Sequence, residues 1–181
     1  MAELEPSDLP AKVRGLFADD TEAQTAINAA LAAARRYCGW HVSPVRTDDE
    51  IEVDGSGGAV LSLPTLRLLD VKSVVELGTA LDVDTLTWSR RKGTITKPWG
   101  RWTARDGGVV VTVTHGYTET EAADWRAAVV RLVAQRYGSK RDSADLKRKK
   151  IDDVEYEWFE AISNDSELSA LFSAFRILPS P

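Results

Sequence analysis

The stretch ARRYCGWHVSPV, residues 34–45, decides how this chain is read. Ahead of it, Ala23, Ile27, Ala30, Leu31, Ala34 and Cys38 recur at helical spacing and make a narrow, alanine-rich face suited to close helix packing. Thr21 and Gln24 are spaced as a capping box at the start of that helix. Gly39 supplies a left-handed C-terminal cap, and Arg35 and Arg36 lie at the negative end of the helix dipole. From Pro44 onward the hydrophobic period changes from 3.6 to 2. The stretch therefore reads as the hinge between a helix and a sheet.

Its chemistry can be read otherwise, because Cys38 and His41 are potential metal ligands or half of a nucleophilic site. A zinc site needs about four ligands, yet the chain holds one Cys and two His, with neither Cys-x-x-Cys nor His-Glu-x-x-His spacing. His115 can join only through the fold. Nothing in the sequence supplies a third orienting group or an oxyanion loop for a Cys–His pair. Cys38 reads instead as a small buried residue at a helix end, and Trp40 as a lid over the junction. The expectation is no metal, no cofactor and no catalytic residue.

Downstream of the hinge, Ile51 and Val53 alternate with Glu50, Glu52 and Asp54, and the turn DGSGG leads into AVLSLP. LLDVKSVVELG, DTLTWSRRKGTITKP and GGVVVTVTHGY continue the pattern, so five to seven short antiparallel strands fill residues 45–117. Gly55, Gly57 and Gly58 share only composition with a phosphate loop; a hairpin turn is the expectation. Helical period returns at TETEAADWRAAVVRLVAQRYGS, where Thr118 or Thr120 is the expected cap and Trp125, Ala128, Val129, Leu132 and Tyr137 share a face. A shorter amphipathic turn at residues 9–17 precedes the first long helix.

The C-terminal third is divided by charge. Residues 140–150, KRDSADLKRKK, carry six basic and two acidic side chains, and residues 151–167 carry seven acidic and no basic ones. Such blocks mark a solvated tether. Beyond it Trp158, Phe159 and Ile162, then Leu168, Leu171, Phe172 and Phe175, form an apolar stripe at helical spacing, with Asn164 as the expected cap. The predicted organisation is a helical core with a β insertion over 1–137, a charged linker over 138–157, and a docking arm over 158–181. The fold class is α+β: a helical bundle core, an inserted antiparallel β region and an amphipathic helical arm.

Composition narrows the function classes. The 181 residues are 43% hydrophobic and 28% charged, with net charge −5, enough for a sizeable core and unsuited to a dedicated nucleic-acid binder. One cysteine fits a reducing compartment, and no apolar run reaches membrane-spanning length. The acidic start MAELEPSDLP is unlike a signal peptide, so a soluble, cytosolic chain is expected. A local basic–aromatic cluster stands apart. Trp99, Arg101, Trp102 and Arg105 share one loop, and such alternation can clamp nucleic acid or make a subunit contact. With Lys140, Arg141, Lys147 and Arg148 these residues define the alternative reading, a DNA-binding module.

The order of elements carries a resemblance. A helix ending RRYCGWHV, the segment LPTLRL, the strand ending THGY and the helix beginning ADWRAAVVRLVAQR follow one another over residues 20–137. This resembles the head–tail adaptor (connector) proteins of long-tailed double-stranded DNA phages, in the form found in phages of actinobacteria. The resemblance implies a non-enzymatic virion protein, assembled in the host cytoplasm, that forms a ring of twelve copies under the portal protein. It implies that the ring extends the DNA channel without binding DNA specifically, meets the next neck or tail-completion protein, and touches no membrane. The apolar stripe at 158–175 would then dock on the portal or on a neighbouring subunit.

Overall fold

The computed structural model describes residues 3–138 and 162–177. The chain divides at Gly39 and near Thr118 into a helical unit, built from both ends of the sequence, and a β unit between them.

The helical unit holds α1 (Ala11–Arg14), α2 (Asp20–Cys38), α3 (Ala123–Gly138) and α4 (Ser166–Ser173). The α2 cap lies two residues before the expected box. Asp19 accepts from the Glu22 amide at 2.8 Å, and Glu22 accepts from the Ala18 amide at 2.7 Å. A carboxylate is the better cap at the positive helix end, and Gln24 is used elsewhere, donating to the Leu4 carbonyl and to Asn28. Ala23, Ile27, Ala30, Leu31, Ala34 and Cys38 are all buried, as their spacing predicts. Their small side chains let α2 pack on α3 and α4, and α3 answers with Trp125, Ala128, Val129, Leu132 and Val133. Tyr137, half-buried, meets Phe17 with ring centroids 4.8 Å apart and the rings tilted by 59°.

Gly39 terminates α2 at φ 80°, its amide donating to Arg35 and Arg36 carbonyls. The Ile177 amide then donates to the Cys38 carbonyl at 2.9 Å, so the returning C-terminal segment satisfies an orphan group at that helix end.

The β unit has seven strands in two antiparallel sheets. The larger, in the order β1-β7-β3-β4, comprises β1 (Arg46–Val53), β3 (Leu68–Glu76), β4 (Thr79–Leu81) and β7 (Val109–His115). The smaller, β2-β6-β5, comprises β2 (Val60–Ser62), β5 (Thr87–Ser89) and β6 (Thr94–Thr96). Val109, Val111 and Val113 alternate inward on central β7 and meet Leu61, Leu63, Leu68, Val71, Val74, Leu86, Ile95 and Trp102 in one core.

The Gly55–Gly58 segment is not the hairpin turn that its composition suggests. β1 pairs with β7, whereas β2 pairs with β6, so the glycines carry the chain from one sheet to the other. Gly55 and Gly57 donate to the Arg105 and Thr103 carbonyls. A Cβ on Gly55 would lie 2.1 Å from the Thr103 oxygen, which is why this crossing requires glycine.

Candidate functional site

The basic–aromatic loop between β6 and β7 separates into a fixed base and an open tip. Trp102 is 2% exposed, donates from Nε1 to the Ala59 carbonyl at 3.0 Å, and lies beneath the Lys97 ammonium, 4.4 Å from its ring centroid. Lys97 is paired with Glu76 at the end of β3, and the second Glu76 oxygen accepts from the Thr103 amide at 2.7 Å. Burial pushes the Glu76 carboxyl up, but the Lys97 and Thr103 hydrogen bonds and the Lys97 charge outweigh it and hold the group below its ordinary range. Trp102 is thus a structural anchor, a correction to its expected contact role; its indole fills the core because Lys97 and Ala59 satisfy it there. Trp99, by contrast, is 91% exposed, and Arg101 and Arg105 are exposed with it.

The expected C-terminal docking residues are divided in the same way. Ile162, Leu168 and Phe172 are fully buried in the helical unit of their own chain, so they are not available as docking residues. The physical reason is electrostatic as well as apolar. Asp165, one residue past the expected Asn164 cap, accepts from the Glu167 and Leu168 amides and from Gln135 of α3, and pairs with Arg131 at 3.0 Å. The Leu168 amide and the Gln135 side chain hold its carboxyl below the usual range. Glu167 pairs with the same arginine. Acidic residues assigned to a solvated block are therefore part of the clamp fixing α4 to α3. Leu171 and Phe175 are half-buried. Trp158, Phe159, Lys140, Arg141, Lys147 and Arg148, and the linker after Gly138, lie outside the described residues.

The side chains of the opening stretch are occupied by their surroundings. The Cys38 thiol is buried in the helical unit, 3.7 Å from the Phe172 carbonyl, and burial pushes it up to about 11. In the β unit His41 Nε2 lies 2.9 Å from the Pro44 carbonyl, and its ring meets that of His115 edge-on at 4.4 Å. His115 Nε2 lies 2.9 Å from Asp49, whose carboxyl is held below its ordinary range first by that hydrogen bond. Among the described residues no group of three His, Cys, Asp or Glu side chains is placed to hold a metal ion. No described helix is long and apolar enough to cross a membrane.

Several accessible residues escaped the sequence reading. Leu77, 55% exposed at φ 50°, tips the β3–β4 turn, and Val60 and Trp88 are exposed on edge strands β2 and β5. Apolar residues in a strand pattern read as core, and only strand order shows which side of each strand is covered. The signal that was present is the acidic alternation of β1.

No protein-family model matches this sequence, and no curated protein does. Solved structures do. One described as the neck of the empty GTA particle computed with C6 symmetry matches with TM-score 0.62 at 17% identity, covering 100% of this chain and 95% of that one. The neck of the native GTA particle computed with C12 symmetry matches with TM-score 0.59 at 17% identity, over 97% of this chain and 92% of that one. A chain of the virion of the native gene transfer agent (GTA) particle matches with TM-score 0.57 at 18% identity, over 97% and 93%. The chain shares its fold with these neck and virion chains.

Proposed function

We propose that this chain is a structural component of a phage-type neck, a head–tail adaptor that forms a ring below the portal and extends the DNA channel toward the tail. The observation that carries the reading is the fold likeness, which runs nearly end to end in both chains rather than over one shared motif. The C6 and C12 symmetry named for the similar necks supports a ring, and twelve copies is the number proposed. The helical unit, with α2, α3 and α4 in mutual contact, is read as the bundle core of the adaptor, and the next neck or tail-completion protein as its partner below. A structural, non-enzymatic role fits the accessible side chains of the β unit, Trp99 and Trp88 among them, which are suited to contact.

The test is assembly of the particle itself. Removing the gene should leave DNA-filled heads without tails, and supplying the chain in trans should restore joined particles. Localised reconstruction of complete particles should find the chain between portal and tail. Tailed, infectious particles lacking this chain would overturn the proposal.

A further inference from the structure

The β unit carries opposite charge on its two flanks. Strand order places β1 and β4 at opposite edges of the larger sheet. The β1 flank presents Asp48, Asp49, Glu50, Glu52 and Asp54 against Arg46, Lys72 and the exposed Arg105. Asp48 pairs with Lys72 at 2.8 Å, Asp49 with Arg46 and His115, and Asp54 accepts from the Gly107 amide. Glu50 and Glu52 have no ion-pair partner among the described residues, so the flank keeps a negative excess.

On the opposite flank, β4 runs through the turn Val83–Thr85 into β5, itself an edge strand. Arg90, Arg91 and Lys92 follow β5 directly, beside exposed Trp88. Trp99 and Arg101 wall a shallow groove of about 320 Å³ together with Leu81, Asp82, Thr85 and Leu86, which places that loop on the same flank. Four cations thus stand against Asp82 and Asp84. None of the four forms an ion pair among the described residues, and Asp82 is engaged in capping the turn. Trp99 is held out on a base fixed by Trp102, Lys97 and Glu76. An exposed Trp beside an Arg brings together two of the residue types most enriched among those that dominate binding energy, and a fixed loop base lowers the entropic cost of association.

Two complementary flanks on opposite edges of one unit cannot satisfy each other within the same copy. They are suited to a heterologous contact, in which each copy offers one flank to the next and the series closes into a ring. We propose that copies of this chain join head to tail through the β unit, with the Trp99–Arg101 loop and the Trp88–Lys92 edge of one copy seated against the Glu50–Glu52 edge of the next. This rests on the ring reading above and names the surface that would build it. The contact covers the open β1 and β5 edges, whose unpaired backbone groups otherwise invite uncontrolled pairing.

The experiment is a charge-reversal cycle on the full-length chain, read by sedimentation velocity across a concentration series and by negative-stain electron microscopy. The wild-type chain should self-associate, more strongly at low salt. Glu50→Lys with Glu52→Lys should weaken association about tenfold or more, as should Arg91→Glu with Arg101→Glu, by placing like charges opposite each other. Trp99→Ala should weaken it without changing the salt dependence. Unchanged near-ultraviolet circular dichroism would show each variant folded. Mixing the two charge variants should restore assembly, because each then meets the opposite sign. Rings that form equally well in every variant would overturn this interface and leave the ring reading standing. A wild-type chain that stays monomeric throughout, or a mixture without rescue, would overturn the interface as well. The ring reading is tested separately, on assembled particles, and fails if their necks lack a ring of this chain.

Discussion

Glu76 shows how one carboxylate organises a surface. It closes the end of β3 and holds Lys97 over the Trp102 ring and the Thr103 backbone beside it, so the exposed Trp99 tip has a firm base. Because its folded-state pKa lies below the ordinary value of about 4.3, it contributes stability that is fully present above that value and is lost as pH falls through the folded one. Chemical denaturation of the wild type between about pH 5 and pH 3 should therefore lose more stability than that of Glu76→Gln. Asp49 and Asp165 are shifted the same way and titrate in both proteins, so the difference between the two slopes isolates Glu76. At neutral pH the substitution should cost about 1–3 kcal/mol, since Lys97 stays largely buried without its counter-charge. Parallel acid slopes in the two proteins would show that the pair contributes nothing.

At the scale of elements, α4 is the part whose role changes most between sequence and structure. Its stripe has the right period for a docking helix, and the charged block before it looks like a tether. Yet Leu168 and Phe172 complete the core of the helical unit, Asp165 and Glu167 meet Arg131 on α3, and the Ile177 amide donates to the carbonyl of the last residue of α2. Phe172→Ala should cost about 3–5 kcal/mol, a value expected only for a ring removed from a packed interior. The amides of α4 should be protected from hydrogen exchange in the free chain to nearly the same degree as those of α2 and α3. Rapid exchange in α4, with no loss of stability from Phe172→Ala, would return the helix to the role of an arm.

For the whole molecule, charge sets how it treats DNA. A net charge of −5 opposes general attraction to a polyanion, and the cations of the β unit that form no ion pair among the described residues are few, with Arg90, Arg91, Lys92 and Arg101 gathered on one flank. In the proposed assembly that flank is covered by the acidic edge of the next copy. Binding of a short duplex should therefore be weak, fall steeply with salt, and show no sequence preference. Submicromolar, sequence-selective binding at physiological salt would favour the DNA-binding module instead, with Trp99 and Arg101 as its contacts.

How far the fold was legible depended on the range of the interactions that define each part. The α2 face, its end at Gly39 and the change of period after Pro44 are local properties: 3.6-residue spacing, a left-handed glycine and strand alternation are all written into neighbouring residues. The same holds for the charge of β1, since Glu50 and Glu52 alternate with Ile51 and Val53 in any register that buries the aliphatic side chains. Partnering was not local. An apolar stripe at helical spacing is identical whether its cover is the same chain or another, so only the fold could assign Leu168 and Phe172 to the core. Trp99 and Trp102, three residues apart in one loop, look alike in sequence. The tertiary structure separates them because Ala59, just before β2, and Glu76, at the end of β3, give one indole a place in the core and leave the other in solvent. Sequence by itself determined which segments are helix or strand and which faces are apolar; only the three-dimensional arrangement decided what covers those faces, because burial is a property of distant neighbours.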